Sequence, residues 1–87
     1  MNFDGAVIRE RGVTFGVMIV KQDALSNMSR RDSLVAQASR VFGGIPTVLM
    51  AQDASGRGRY YGRRDIVDFM ASVPLSAVPW KRYRLAA

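Results

Sequence analysis

The chain contains no cysteine and no histidine. Their absence removes disulfides, thiolate nucleophiles, zinc sites of the usual ligand set and histidine general-base chemistry. No apolar run approaches the roughly 20 residues needed to span a bilayer. Met1-Asn-Phe-Asp-Gly5 lacks the basic segment and apolar core of a secretory signal. A cytoplasmic location, with no membrane as partner, is expected. Carboxylates are also scarce: Asp4, Glu10, Asp23, Asp32, Asp53, Asp65 and Asp68, mostly beside turns or helix starts. No nucleophile–base pair can be assembled from them, so a protein without catalytic activity or cofactor is expected. A magnesium-dependent phosphodiesterase on Asp23 or Asp53 remains open, because magnesium needs only one or two carboxylates beside substrate phosphate.

What is present is one small domain's worth of chain, 87 residues with 48% apolar and 23% charged side chains. The net charge of +6 is uneven. Residues 1–53 hold six Lys/Arg against five Asp/Glu, whereas residues 54–87 hold seven against Asp65 and Asp68. A one-sided positive field selects partners by sign: nucleic acid or an acidic protein.

Ala6–Glu10 reads as a short strand and Arg11-Gly12 as a tight turn. Val13–Val20 is a long strand, β-branched and apolar on both faces, and therefore central. Residues 21–28 read as a connection. Ser29-Arg-Arg-Asp32 resembles a capping box ahead of a helix whose stripe is Leu34, Val35, Ala38, Val41 and Phe42. Gly43-Gly44 stops that helix. Ile45–Ala51 is a second apolar strand, Asp53–Gly56 a hairpin turn, and Arg57–Tyr61 the returning strand. A helix over 63–73 turns Ile66, Val67, Met70 and Val73 inward and ends at Pro74.

The expected fold is α/β (α+β): a small ββαββα sandwich with a mixed four-stranded sheet and two helices over residues 1–74. A basic aromatic tail follows at 75–87. The segment 13–51 should join parallel neighbouring strands. With both helices on one face, the other face would need a cover, and a homodimer or the tail's Leu75, Val78 and Trp80 is expected to supply it.

Gly44-Ile45-Pro46-Thr47, the apolar strand, the turn at Gly56, the return strand and the last helix together resemble the C-terminal half of a thioredoxin fold over residues 44–73. The resemblance implies a cis bond at Pro46 and a helix packed across the hairpin. It carries no redox activity, because the family's cysteines are missing. Tyr60-Tyr-Gly-Arg63 and Pro79-Trp-Lys-Arg-Tyr83 resemble segments of small proteins of bacterial mobile elements, which implies no biochemical activity.

Alternation along Arg57–Tyr61 puts Arg57, Arg59 and Tyr61 on one side of the strand and Tyr60 on the other. Burying arginines is the costlier choice, so Tyr60 is expected inward and Tyr61 outward. An outward tyrosine between arginines suits nucleic acid, the ring stacking on a base and the guanidiniums meeting phosphates. Arg63 and Arg64 continue this stripe, although cations at a helix start oppose its dipole unless Asp65, Asp68 or an anion offsets them. The alternative is an edge strand guarded by charge against aggregation. Lys81, Arg82, Tyr83 and Arg84 form the second candidate segment, with Trp80 expected to dock on the core. Arg30, Arg31 and Arg40 read as a solvated helix face. The function expected is a basic, probe-by-charge nucleic-acid-binding module of low sequence preference, and the alternative is a protein–protein assembly module.

Overall fold

A computed structural model describes residues 2–84, so the last three residues of the predicted tail lie outside the described residues. β1 (Asn2–Glu10) and β2 (Val13–Ile19) form a hairpin. Glu10 faces Val13, and the two turn residues Arg11 and Gly12 take φ of 50° and 79°. Positive φ at both turn positions matches the twist of the flanking strands, which is why glycine stands there. The chain then makes a short helix α1 (Gln22–Ser26), a longer α2 (Met28–Val41), β3 (Thr47–Gln52), β4 (Gly58–Tyr61), α3 (Arg64–Ala71), a single 3-10 turn at Leu75–Ala77, and β5 (Lys81–Arg84).

The sheet is mixed and has five strands in the order β4-β3-β2-β1-β5. β2 and β3 are parallel neighbours joined through α1 and α2, as their apolar character on both faces demands, and every other pairing is antiparallel. Two expectations need correction here: the sheet has a fifth strand and the chain a third helix. The fifth strand is the tail itself, whose residues 81–84 pair with β1 from Asn2–Arg84 to Gly5–Lys81. A strand that alternates charge with one tyrosine hides its apolar face from a composition reading. The third helix, α1, buries only Ala24 and leaves no periodic stripe to detect.

The helices lie on opposite faces. One core contains Phe3, Met18, Ala24, Leu34, Ala38 and Leu49 under α1 and α2. The other contains Ala6, Phe15, Val17, Val48, Met50, Ile66, Met70 and Val78 under α3 and the 3-10 turn. Trp80 packs against this second core as expected, its Nε1–H donating to the Leu75 carbonyl at 3.0 Å. The bare face that motivated a homodimer is therefore absent from the described residues, where Val7 and Met28 are the exposed large apolar side chains.

The N-cap of α2 lies two residues before the expected one. Asn27 caps it, its Oδ1 accepting from the Arg30 amide at 3.0 Å, while Ser29 lies inside the helix. Asparagine and serine cap about equally well, so their chemistry alone does not choose between the two positions. Gly43 and Gly44 end the helix with φ near 87° and 86°, and the Gly44 amide returns to the Ser39 carbonyl at 2.7 Å. The helix thereby lays the Phe42 ring over β1 and β2, where a Cβ on Gly16 would stand 2.2 Å from that ring. The described chain has no cis peptide, so the bond before Pro46 is trans, against the thioredoxin-like expectation.

Candidate nucleic-acid interface

The two basic segments singled out by sequence sit at opposite edges of the sheet. β4 carries Arg59 and Tyr61, with Arg57 in the loop before it, and β5 carries Lys81 to Arg84. Four strand spacings separate them, roughly 19 Å. They do not form one surface along the sheet.

At the β4 edge the aromatic expected to face solvent is engaged. Tyr61 lies opposite Leu49 on the α2 side of the sheet. Its hydroxyl donates to Asp32 Oδ1 at 2.9 Å, and the Arg31 guanidinium lies 4.1 Å from its ring centre. Arg31 itself donates to the Leu25 carbonyl at 3.3 Å. The outward placement of Tyr61 fails because it assumed that only one sheet face meets a core. With helices on both faces, Tyr60 and Tyr61 each find one, and burial raises the Tyr60 hydroxyl pKa above its ordinary value. Arg63 stands at the N-cap position of α3 without a side-chain capping bond and grips Asp65 in two parallel bonds, Nε to Oδ1 and Nη2 to Oδ2, both 2.7 Å. That pairing holds the Asp65 carboxyl below and the Arg63 guanidinium above its ordinary range. Asp65 is thus the group that offsets Arg63 at the helix start. Arg57, Arg59 and Arg64 are exposed and have no carboxylate partner among the described residues.

At the β5 edge Tyr83 is also engaged. Its ring stacks on Phe3 at 5.5 Å and meets Phe42 edge-on at 4.9 Å, which locks β5 onto the α2 side of the sheet. Strand alternation then points Lys81 to that same side and Arg82 and Arg84 to the other. Arg82 pairs with Asp4 across the strands at 3.1 Å. Lys81 and Arg84 are exposed and unpaired among the described residues.

Of the tail cations, Arg82 lines a cleft that it shares with two residues outside the predicted basic segments. A cleft of about 420 Å³ opens where β2 ends and β1 begins, rimmed by Lys21, Arg30 and Arg82. Its floor includes Met18, Val20 and Leu34, and Asn2 and Asp4 complete it on the β1 side. Lys21 leaves the sheet at the end of β2, and Arg30 projects from the first turn of α2 because Asn27 sets the start of that helix. Neither has a carboxylate partner among the described residues. Lys21 read as part of a connection and Arg30 as a solvated face. Only the strand order brings them beside residue 82.

Asp53, one of the two candidate magnesium residues, is a turn carboxylate. Its Oδ1 accepts from the Ser55 hydroxyl at 2.6 Å, the Ser55 amide at 2.9 Å and the Arg57 amide at 3.0 Å. The Ser55 hydroxyl leads the effects that lower its pKa. Among the described residues no three carboxylates gather into a cage, and no helix is long and apolar enough to cross a membrane. Comparison with protein-family models, with curated proteins and with solved structures finds no match. The chemistry of this surface therefore rests on its own geometry: a field of cations and a cleft rimmed by three of them, one of which, Arg82, is paired with Asp4.

Proposed function

We propose that this chain is a small, non-enzymatic, cytoplasmic nucleic-acid-binding module, driven by charge and of low sequence preference. The observation that carries the reading is the cation imbalance. Of thirteen Lys/Arg, only Arg11, Arg63 and Arg82 have a carboxylate partner among the described residues. Of the other ten, Arg31 packs on Tyr61, and the remaining nine are exposed and keep their charge available to an external polyanion. The β5 edge and the adjoining corner lead this binding, through Lys21, Arg30, Lys81, Arg82 and Arg84. Arg57, Arg59 and Arg64 add a second, weaker contact line at the opposite edge. Binding works by phosphate neutralisation and counterion release, so affinity should fall steeply with salt. Titration of single- and double-stranded DNA and RNA at several salt concentrations tests this. Absence of binding even at low salt would refute it.

A second reading, an assembly module, is favoured by one observation: β4 is a sheet edge whose outer backbone groups have no strand beside them among the described residues. Such an edge can accept a strand from a partner or from a second copy, and self-association as a homodimer would use it rather than a bare face. Light scattering separates the two readings. Association that is unchanged when Arg57 and Arg59 are reversed in charge supports assembly.

A further inference from the structure

We infer that the corner cleft seats one unstacked nucleotide of a single strand, with its phosphate on Lys21 and Arg30 and its base on the apolar floor. The inference rests on the nucleic-acid reading above and specifies the form of strand that is bound.

The first support is the cleft's division of chemistry. Its floor is the edge of the core under α1 and α2, with Met18 and Leu34 nearly covered and Val20 half-buried. Its rim is cationic, and the single carboxylate there, Asp4, is already held by Arg82. An apolar floor with charge at one rim suits a ligand that has a flat, weakly hydrated body and an anionic group. Its volume of about 420 Å³ lies within the rough 300–1,000 Å³ range of small-ligand sites. Its position outside the carboxyl end of β2 is where open α/β sheets take ligands.

The second support is the fate of the aromatic rings. Single-strand binders usually stack bases on exposed aromatics. Here Tyr61 is covered by Arg31, Tyr83 by Phe3 and Phe42, and Tyr60 and Trp80 pack on the α3 core. None of the three tyrosines and the tryptophan is left exposed, so a base that leaves water must do so in a cleft. A duplex keeps its bases stacked and could touch only the rim. The consequence is a preference for single strands that charge alone would not create.

The test is methyl NMR on the full chain with a short oligothymidylate, a duplex of matched length and inorganic pyrophosphate as probes. The oligothymidylate should shift the methyls of Met18, Val20 and Leu34, while the duplex and pyrophosphate leave them in place. Lys21→Ala with Arg30→Ala should weaken oligothymidylate binding roughly tenfold at low salt. Both side chains are exposed and bear no ion pair among the described residues, so the fold should survive. If oligothymidylate binds and only β4 or β5 amides respond, the cleft inference fails and the charge-driven reading stands. Equal floor shifts from pyrophosphate would also overturn the inference, since pyrophosphate has no base. No response to any nucleic acid at low salt would overturn both.

Discussion

β4 and β5 are both four-residue edge strands that turn a tyrosine toward the α2 layer and carry arginine beside it. They differ in what lies next to them. Tyr61 on β4 is fastened by polar groups, the Asp32 carboxylate and the Arg31 guanidinium, and the cations around it spread along an open edge. Tyr83 on β5 is fastened by rings, Phe3 and Phe42, and its neighbour Arg82 lines a cleft with Lys21 and Arg30. Similar strand sequences thus give one dispersed charge line and one focused site. The neighbour across the sheet end makes the difference, since the strands themselves are alike.

The comparison breaks most readily at its apolar fastening. Phe42→Ala should cost about 3 kcal/mol, because it removes the ring that touches Phe3 and Tyr83 at once. Denaturant unfolding gives the loss, and weakened near-ultraviolet dichroism from Tyr83 would show β5 loosening. Filling from below should act in the same direction: Gly16→Ala drives a Cβ into Phe42 and should cost about 1–3 kcal/mol.

Next in size is the functional contrast. Lys81→Ala with Arg84→Ala should lower the salt slope of single-strand binding by about 1.4 if both meet phosphate. Arg57→Ala with Arg59→Ala should lower it less. An equal or larger drop from the hairpin pair would invert the two edges. A smaller effect sharpens the polar fastening: Arg31→Ala should cost about 0.5–1 kcal/mol. It should also uncover Tyr61, so that added oligonucleotide quenches tyrosine fluorescence more in the variant than in the parent protein.

The smallest effect is electrostatic and confined to the β3–β4 turn. Hydrogen bonds from Ser55 and Arg57 lower the Asp53 pKa below its ordinary value of 3.8. Its contribution to stability is therefore present above that value and lost as pH falls through the lower folded pKa. Asp53→Asn should remove part of the acid-dependent loss, seen as a shallower fall in melting temperature below about pH 4. The Arg63–Asp65 pair, intact in that variant, serves as the internal control because its shift has the same sign.

Much of this fold was legible because its central strands and helices follow strict patterns. The apolar runs at 13–20 and 45–51 did become adjacent parallel strands, and the stripe of Leu34, Ala38 and Phe42 did face the sheet. What sequence could not supply was strand order. β5 was hidden because three of its four residues are cations and only Tyr83 faces a core. The outward Tyr61 followed from counting one core face where there are two. The corner cleft was invisible for the same reason as β5: residues 21, 30 and 82 are brought together by the pairing of the first strand with the last described one.

That pairing also sets an order of events. β1 is made first, yet its outer edge and the Phe3 ring wait for residues 81–84 to emerge. α2 can pack on β2 and β3 before then, whereas the β1–β5 contact joins the two ends of the described chain and carries the largest loop-closure cost. Arg82 joins Lys21 and Arg30 only at that closing step. A complete chain with β5 unzipped therefore carries all the same cations without the corner that gathers Lys21, Arg30 and Arg82. On the proposed nucleic-acid reading, such a chain would meet its ligand as a loose polycation and acquire a defined grip only when the sheet is complete.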